Sequence, residues 1–162
     1  MYADCAGPWG LLGPRRVRLP AVAFGDLPRI DVVLLSHNHY DHCDLRALRA
    51  LARRFDPVVV APLGNARLIR KAAFTRIQEL DWWQESAATS AISVTATPAH
   101  HFSAGTPFDR NRALWGGFMV TVAGRRIYFA GEHASLTHTW MQGALESGLR
   151  ATREILTAAL RS

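Results

Sequence analysis

Between residues 30 and 55 the chain passes from an unbroken aliphatic segment, IDVVLLS, through HNHYDHCD and into LRALRALARRF. No other stretch restricts the fold so tightly. A β-branched and aliphatic run without polar alternation fits a strand buried on both faces. Asp44 is placed to cap the helix that follows. There Leu45, Leu48, Leu51 and Phe55 recur at helical spacing, while Arg46, Arg49, Arg53 and Arg54 fill what reads as a solvated face.

The remaining segments extend this pattern. PVVVAP (57–62) predicts a second buried strand and GNARLIRKAAF a short helix. SAISVTATPAH (90–100) alternates Ile92, Val94 and Ala96 against Ser93, Thr95 and Thr97, as a half-buried strand would. GGFMVTVAGRRIYFAG (116–131) predicts two strands joined at Ala123-Gly124, a hairpin. Residues 1–29 are rich in Gly and Pro and read as irregular. Residues 140–160 hold the longest helical pattern, with Met141, Leu145, Leu149 and Leu160. Strands and helices alternate first and hairpins follow, so the expected class is α/β, a mixed sheet covered by helices. Residues 1–131 would form the domain, and 132–162 a helical tail packed on it.

Bulk properties narrow the function. The 162 residues suit one domain with a real core. No apolar run approaches the roughly 18 residues of a membrane span, and no signal peptide is visible, so a cytoplasmic protein is expected. Cys5 and Cys43 are too few for a disulfide framework or a Cys-based zinc site, and Cys43 reads as a small residue leading into a helix. A net charge of +6 favours anionic partners. The arginines are spread out, however, with no nucleic-acid motif, so no nucleic-acid partner is expected.

The seven histidines fall into three short groups: His37, His39 and His42, then His100 and His101, then His133 and His138. Three His and Asp41 within six positions would be costly to desolvate without a metal or another partner. The group also lies at the carboxyl end of a predicted strand, where open α/β sheets bind ligands. His37 and His39, being alternate residues, can face one way. His100 and His101 end another predicted strand, and His37, His39 and His101 would make a three-His zinc site with an open fourth position, which suits catalysis. Zinc lowers the pKa of bound water to about 7 and so provides a nucleophile at neutral pH. Asp41 is placed to orient that water or accept its proton.

SHNHYDHCD matches the His-x-His-x-Asp-His signature of the metallo-β-lactamase fold. With ELDWWQ, TPAHHFSAGTPFDRNRALWGGFMV and RRIYFAG, it resembles the branch that includes the N-acyl-phosphatidylethanolamine-hydrolysing phospholipase D enzymes. The resemblance covers residues 7–131, a partial domain. It implies an αββα sandwich and zinc-dependent hydrolysis, often of phosphodiesters, with a small-molecule or lipid substrate and room for peripheral membrane contact. It further implies that His37, His39 and His101, rather than His100, bind one zinc, and that Asp41 and His42 serve a second. Where the family has an Asp bridging both metals, this chain has Glu132. One tightly bound zinc is therefore expected, and the alternative function is a zinc-binding relative without turnover. The tail, YFAGEHAS and TWMQGALESGLRATREI, resembles the closing segment of flavin-dependent amine oxidases. A dinucleotide fingerprint is absent, because Gly7, Gly10 and Gly13 lack both the spacing and a preceding strand. An amphipathic helix covering the sheet is the expected role of the tail.

Overall fold

The two aliphatic runs form parallel neighbours, β1 (Val32–Leu34) and β2 (Val58–Pro62), connected through helix α1 (Leu45–Phe55). The computed structural model describes residues 5, 15, 17–18, 20–40, 42–106 and 108–131. Helix α2 (Ala66–Arg70) leads into β3 (Ile77–Leu80), which pairs parallel to the other side of β2. An antiparallel sheet follows, with β4 (Glu85–Ala87), β5 (Ile92–Thr97), β6 (Gly117–Val122) and β7 (Arg125–Phe129) paired in chain order. Parallel and antiparallel strands thus occupy separate sheets within the expected α/β class. Asp41, Glu132, His133, His138 and the predicted helix at 140–160 lie outside the described residues.

β2 shows why its sequence is apolar without alternation. All five of its residues are buried. Because successive side chains point to opposite faces, Val59 and Ala61 meet Leu48, Ile69 and Phe74 on the helix side. Val58 and Val60 meet Leu80, Val94, Ala96 and Phe118, which come from β3 and the antiparallel sheet. The strand serves two cores at once, and each fully buried Val contributes roughly 1.5–3 kcal/mol. β1 is less enclosed than its composition predicts. Among the described residues it pairs only with β2, and all three of its residues are half-buried.

Helix α1 starts where expected, with the Asp44 carboxylate accepting from the N–H groups of Arg46 and Ala47, both at 3.1 Å. It ends at Asp56, whose left-handed φ of 46° turns the chain toward β2. Its arginines are not merely a solvated face. Arg54 donates to the carbonyls of Phe24, Gly25 and Leu27, pinning the turn at Phe24–Asp26, and Arg49 donates to the Lys71 carbonyl at 2.7 Å. The β6–β7 hairpin turns at Ala123 and Gly124, both at positive φ, as the two-residue hairpin connection requires.

The two sheets are joined beyond the end of β1. Leu35 N–H donates to the Val60 carbonyl and extends the parallel ladder by one residue, and Gly116 N–H donates to the Ser36 carbonyl at 3.0 Å. Glycine is needed there because a Cβ on Gly116 would lie 2.3 Å from the Thr97 carbonyl oxygen. Residues 36–39 are therefore held between both sheets when they reach the strand ends.

Candidate metal centre

His37, His39 and His101 come together at that junction. His37 Nε2 lies 3.0 Å from His39 Nδ1, and His101 Nε2 lies 3.2 Å from the same atom. All three rings offer nitrogens within 4.8 Å of one another, a group that could hold a metal ion. Nitrogens around a tetrahedral zinc, with arms of about 2.0–2.1 Å, stand about 3.3 Å apart. The residues present fit a divalent ion.

Their surroundings suit metal binding. His37 is 1% exposed, and its pKa is lowered from 6.5 to about 2 by burial, then by His42, His101 and His39. It is a neutral imidazole, the form that ligates metal. Ser36, also buried, places Oγ 2.9 Å from His37 Nδ1. Metal ligation through Nε2 requires the ring proton on Nδ1, where Ser36 Oγ is placed to accept it. Phe102 packs edge-on against His39 with centroids 4.7 Å apart and lies 5.0 Å from His101.

The predicted residues that lie among the described ones take the following places. His37 and His39 are adjacent as expected, although β1 ends at Leu34 and extended chain carries them. His101 joins them and His100 is exposed. The two are separated beyond β5, which ends at Thr97. A tight turn, with His101 N–H donating to the Ala99 carbonyl at 3.0 Å, separates the two histidines. His42 is exposed, with its ring 4.4 Å from that of His37, and lies outside the three-nitrogen group. The roles predicted for Asp41 and Glu132 fall outside the described residues. Cys43 packs into the helix-side core, where burial, then Asp44, pushes its thiol up to about 12, and it lies outside the three-nitrogen group.

Four supporting residues have no counterpart in the sequence reading. Ser36 carried no signal beyond its position before His37. Trp115 donates from Nε1 to the Ala99 carbonyl at 2.9 Å, and Trp82 donates to the Trp115 carbonyl at 2.7 Å. This indole chain steadies the turn that presents His101. Ser103 is fully buried and donates to the Ala113 carbonyl at 2.6 Å, closing the loop that follows.

Fold and site together define the class: residues 4–151 match the beta-lactamase superfamily domain, and the chain belongs to that family. Its relatives sharpen the placement. Over 134 residues it is 35% identical to an uncharacterized protein of Mycobacterium tuberculosis, covering 82% of this chain and 36% of that protein. Over 121 residues it is 32% identical to the mitochondrial N-acyl-phosphatidylethanolamine-hydrolyzing phospholipase D of Saccharomyces cerevisiae, covering 73% of this chain and 26% of that enzyme. The chain thus spans about a third of the curated relatives it matches. In fold it is similar to Igni18, a metallo hydrolase of Ignicoccus hospitalis, with a TM-score of 0.54, 17% identity, and coverage of 72% of this chain and 49% of that one. A 40-residue stretch, 25% of the chain, is 45% identical to 8% of the L-amino-acid oxidase of Gloydius halys, too short a match to carry function.

Proposed function

We propose that this chain is a zinc-dependent hydrolase domain that cleaves phosphodiesters, of the kind a phospholipase D attacks, or related esters. The observation that carries this reading is the convergence of His37 Nε2, His39 Nδ1 and His101 Nε2, with His37 held neutral. Three imidazole nitrogens leave a fourth position for substrate or water, the arrangement of catalytic rather than structural zinc. Similarity to the yeast phospholipase D supports the phosphodiester as the bond attacked.

Zinc held there would polarise a substrate oxygen and make water available as a nucleophile at neutral pH. The chain's own residues do the rest. Ser36 would accept the Nδ1 proton of a metal-ligating His37, and the Trp82–Trp115 chain holds the His101 turn. Phe102 screens one side of the cluster from water. Asp41 is assigned the carboxylate that accepts the proton of the attacking water. Asp41, His42 and Glu132 are assigned to a second, weaker ion. Leu63 and Trp83, both exposed, follow β2 and β3 at the same strand ends as the cluster and would suit an acyl chain. That apolar rim favours a lipid substrate over a small polar one.

The test is release of nitrophenol from bis(p-nitrophenyl) phosphate by zinc-loaded, chelated and Asp41→Asn protein. Zinc-dependent turnover is expected, nearly abolished by Asp41→Asn while zinc is retained. A zinc-loaded protein no faster than the chelated form would instead be a metal-binding relative without turnover.

A further inference from the structure

Beside the histidine cluster stands a cation that the metal chemistry leaves unused. The guanidinium carbon of Arg110 lies 4.6 Å from the centroid of the Phe102 ring. That same ring touches His39 and His101. A single aromatic ring therefore separates the Arg110 charge from two of the three converging imidazoles.

The loop holds Arg110 there by several contacts. Asn111 N–H donates to the Ser103 carbonyl at 2.8 Å, and Arg112 N–H donates to the Asp109 carbonyl at 3.1 Å. Asn111 adopts a left-handed φ of 57°, folding the chain back after Arg110. The Asp109 carboxylate is engaged within the loop, with Oδ1 accepting from Thr106 N–H at 2.6 Å. Among the described residues Arg110 makes no ion pair, and no hydrogen bond engages its guanidinium; the one ion pair found joins Arg29 and Asp31. A guanidinium fixed over a ring but without an acceptor keeps its forked N–H donors for a ligand. That fork matches the paired oxygens of a phosphate group.

We propose that Arg110 is the anion-recognition residue of the site, gripping a non-bridging phosphate oxygen of the substrate, and that Phe102 positions it. This rests on the hydrolase reading above for the identity of the bond cleaved. Arg110 touches the substrate's charge and takes no part in activating water. It selects substrates that carry a negative charge beside the scissile bond and leaves neutral esters unassisted.

Binding of inorganic phosphate to the zinc-loaded full chain, followed by calorimetry, tests this apart from turnover. Arg110→Ala removes a charge-assisted hydrogen bond and should weaken phosphate binding by about tenfold or more. Arg110→Lys should recover part of that loss, because it restores charge without the fork. Phe102→Leu should weaken binding by about threefold through loss of the cation–π contact, worth about 0.5–1 kcal/mol at an exposed site. Zinc content should stay the same in Arg110→Ala and Arg110→Lys. The KM for bis(p-nitrophenyl) phosphate should rise in Arg110→Ala. Equal phosphate affinity in wild type and Arg110→Ala would overturn the proposal, as would a wild type that binds no phosphate. Arg110-dependent phosphate binding without phosphodiester turnover would uphold the anion site and sink the hydrolase reading alone.

Discussion

Ser36→Ala removes one oxygen and should weaken the metal centre from outside it. The hydroxyl is buried, and Oγ lies 2.9 Å from His37 Nδ1. With a metal on Nε2 the imidazole proton belongs on Nδ1, where Oγ is placed to accept it. Without Oγ, the chain either loses a buried hydrogen bond, at about 1–3 kcal/mol, or lets the proton move to Nε2, where it competes with the metal. Losing such a supporting partner typically costs 10–100-fold in metal affinity, or about 1.4–2.8 kcal/mol. Competitive zinc titration against a chromophoric chelator measures it directly. Ser86→Ala is the control, because Ser86 donates to Gln78 at 3.1 Å, away from the histidines. Ser86→Ala should bind zinc as wild type does. A Ser36→Ala protein within twofold of wild type would refute the tautomer argument.

Three further outcomes are expected. In zinc-free protein, His37 resists a proton that the unfolded chain accepts below pH 6.5, so stability should fall as pH drops from 6.5 toward 2. By about pH 5 this amounts to about 2 kcal/mol, and urea unfolding should show a shallower fall in His37→Gln; equal slopes would contradict the assignment. Gly116→Ala should cost about 3 kcal/mol or more, the upper end of overpacking, since its Cβ would meet the Thr97 carbonyl oxygen at 2.3 Å. Gly124→Ala has open space and only a φ of 73° to pay for, so about 1–2 kcal/mol is expected; thermal melts giving equal losses would show that the close approach is not what matters.

Much of this architecture was legible locally. The aliphatic runs of β1 and β2, the Asp44 cap and the Ala123-Gly124 turn are decided by residues close in sequence, and His37 and His39 share one strand end. β3 and β4 escaped notice because Ile77–Leu80 and Glu85–Ala87 are short and mix polar with apolar residues; their pairing partners decide them. The separation of His101 from His100 is made in a turn after β5, which the strand pattern of 90–100 does not report. Ser36, Trp115 and Arg110 owe their places to partners contributed by the tertiary fold or by loop closure. No periodicity reports such contacts. Arg54 was misread for the same reason: helical spacing puts it on the solvent side, and only the fold brings Phe24 and Gly25 beneath it.

The central assignment is that His37, His39 and His101 hold one metal ion. Elemental analysis after zinc loading and mild chelation, on wild type, His101→Ala and His100→Ala, tests it most directly. The three-histidine centre predicts about one zinc per chain in wild type and His100→Ala, and little in His101→Ala. Equal zinc loss in the two variants, or zinc retained in His101→Ala, would contradict it.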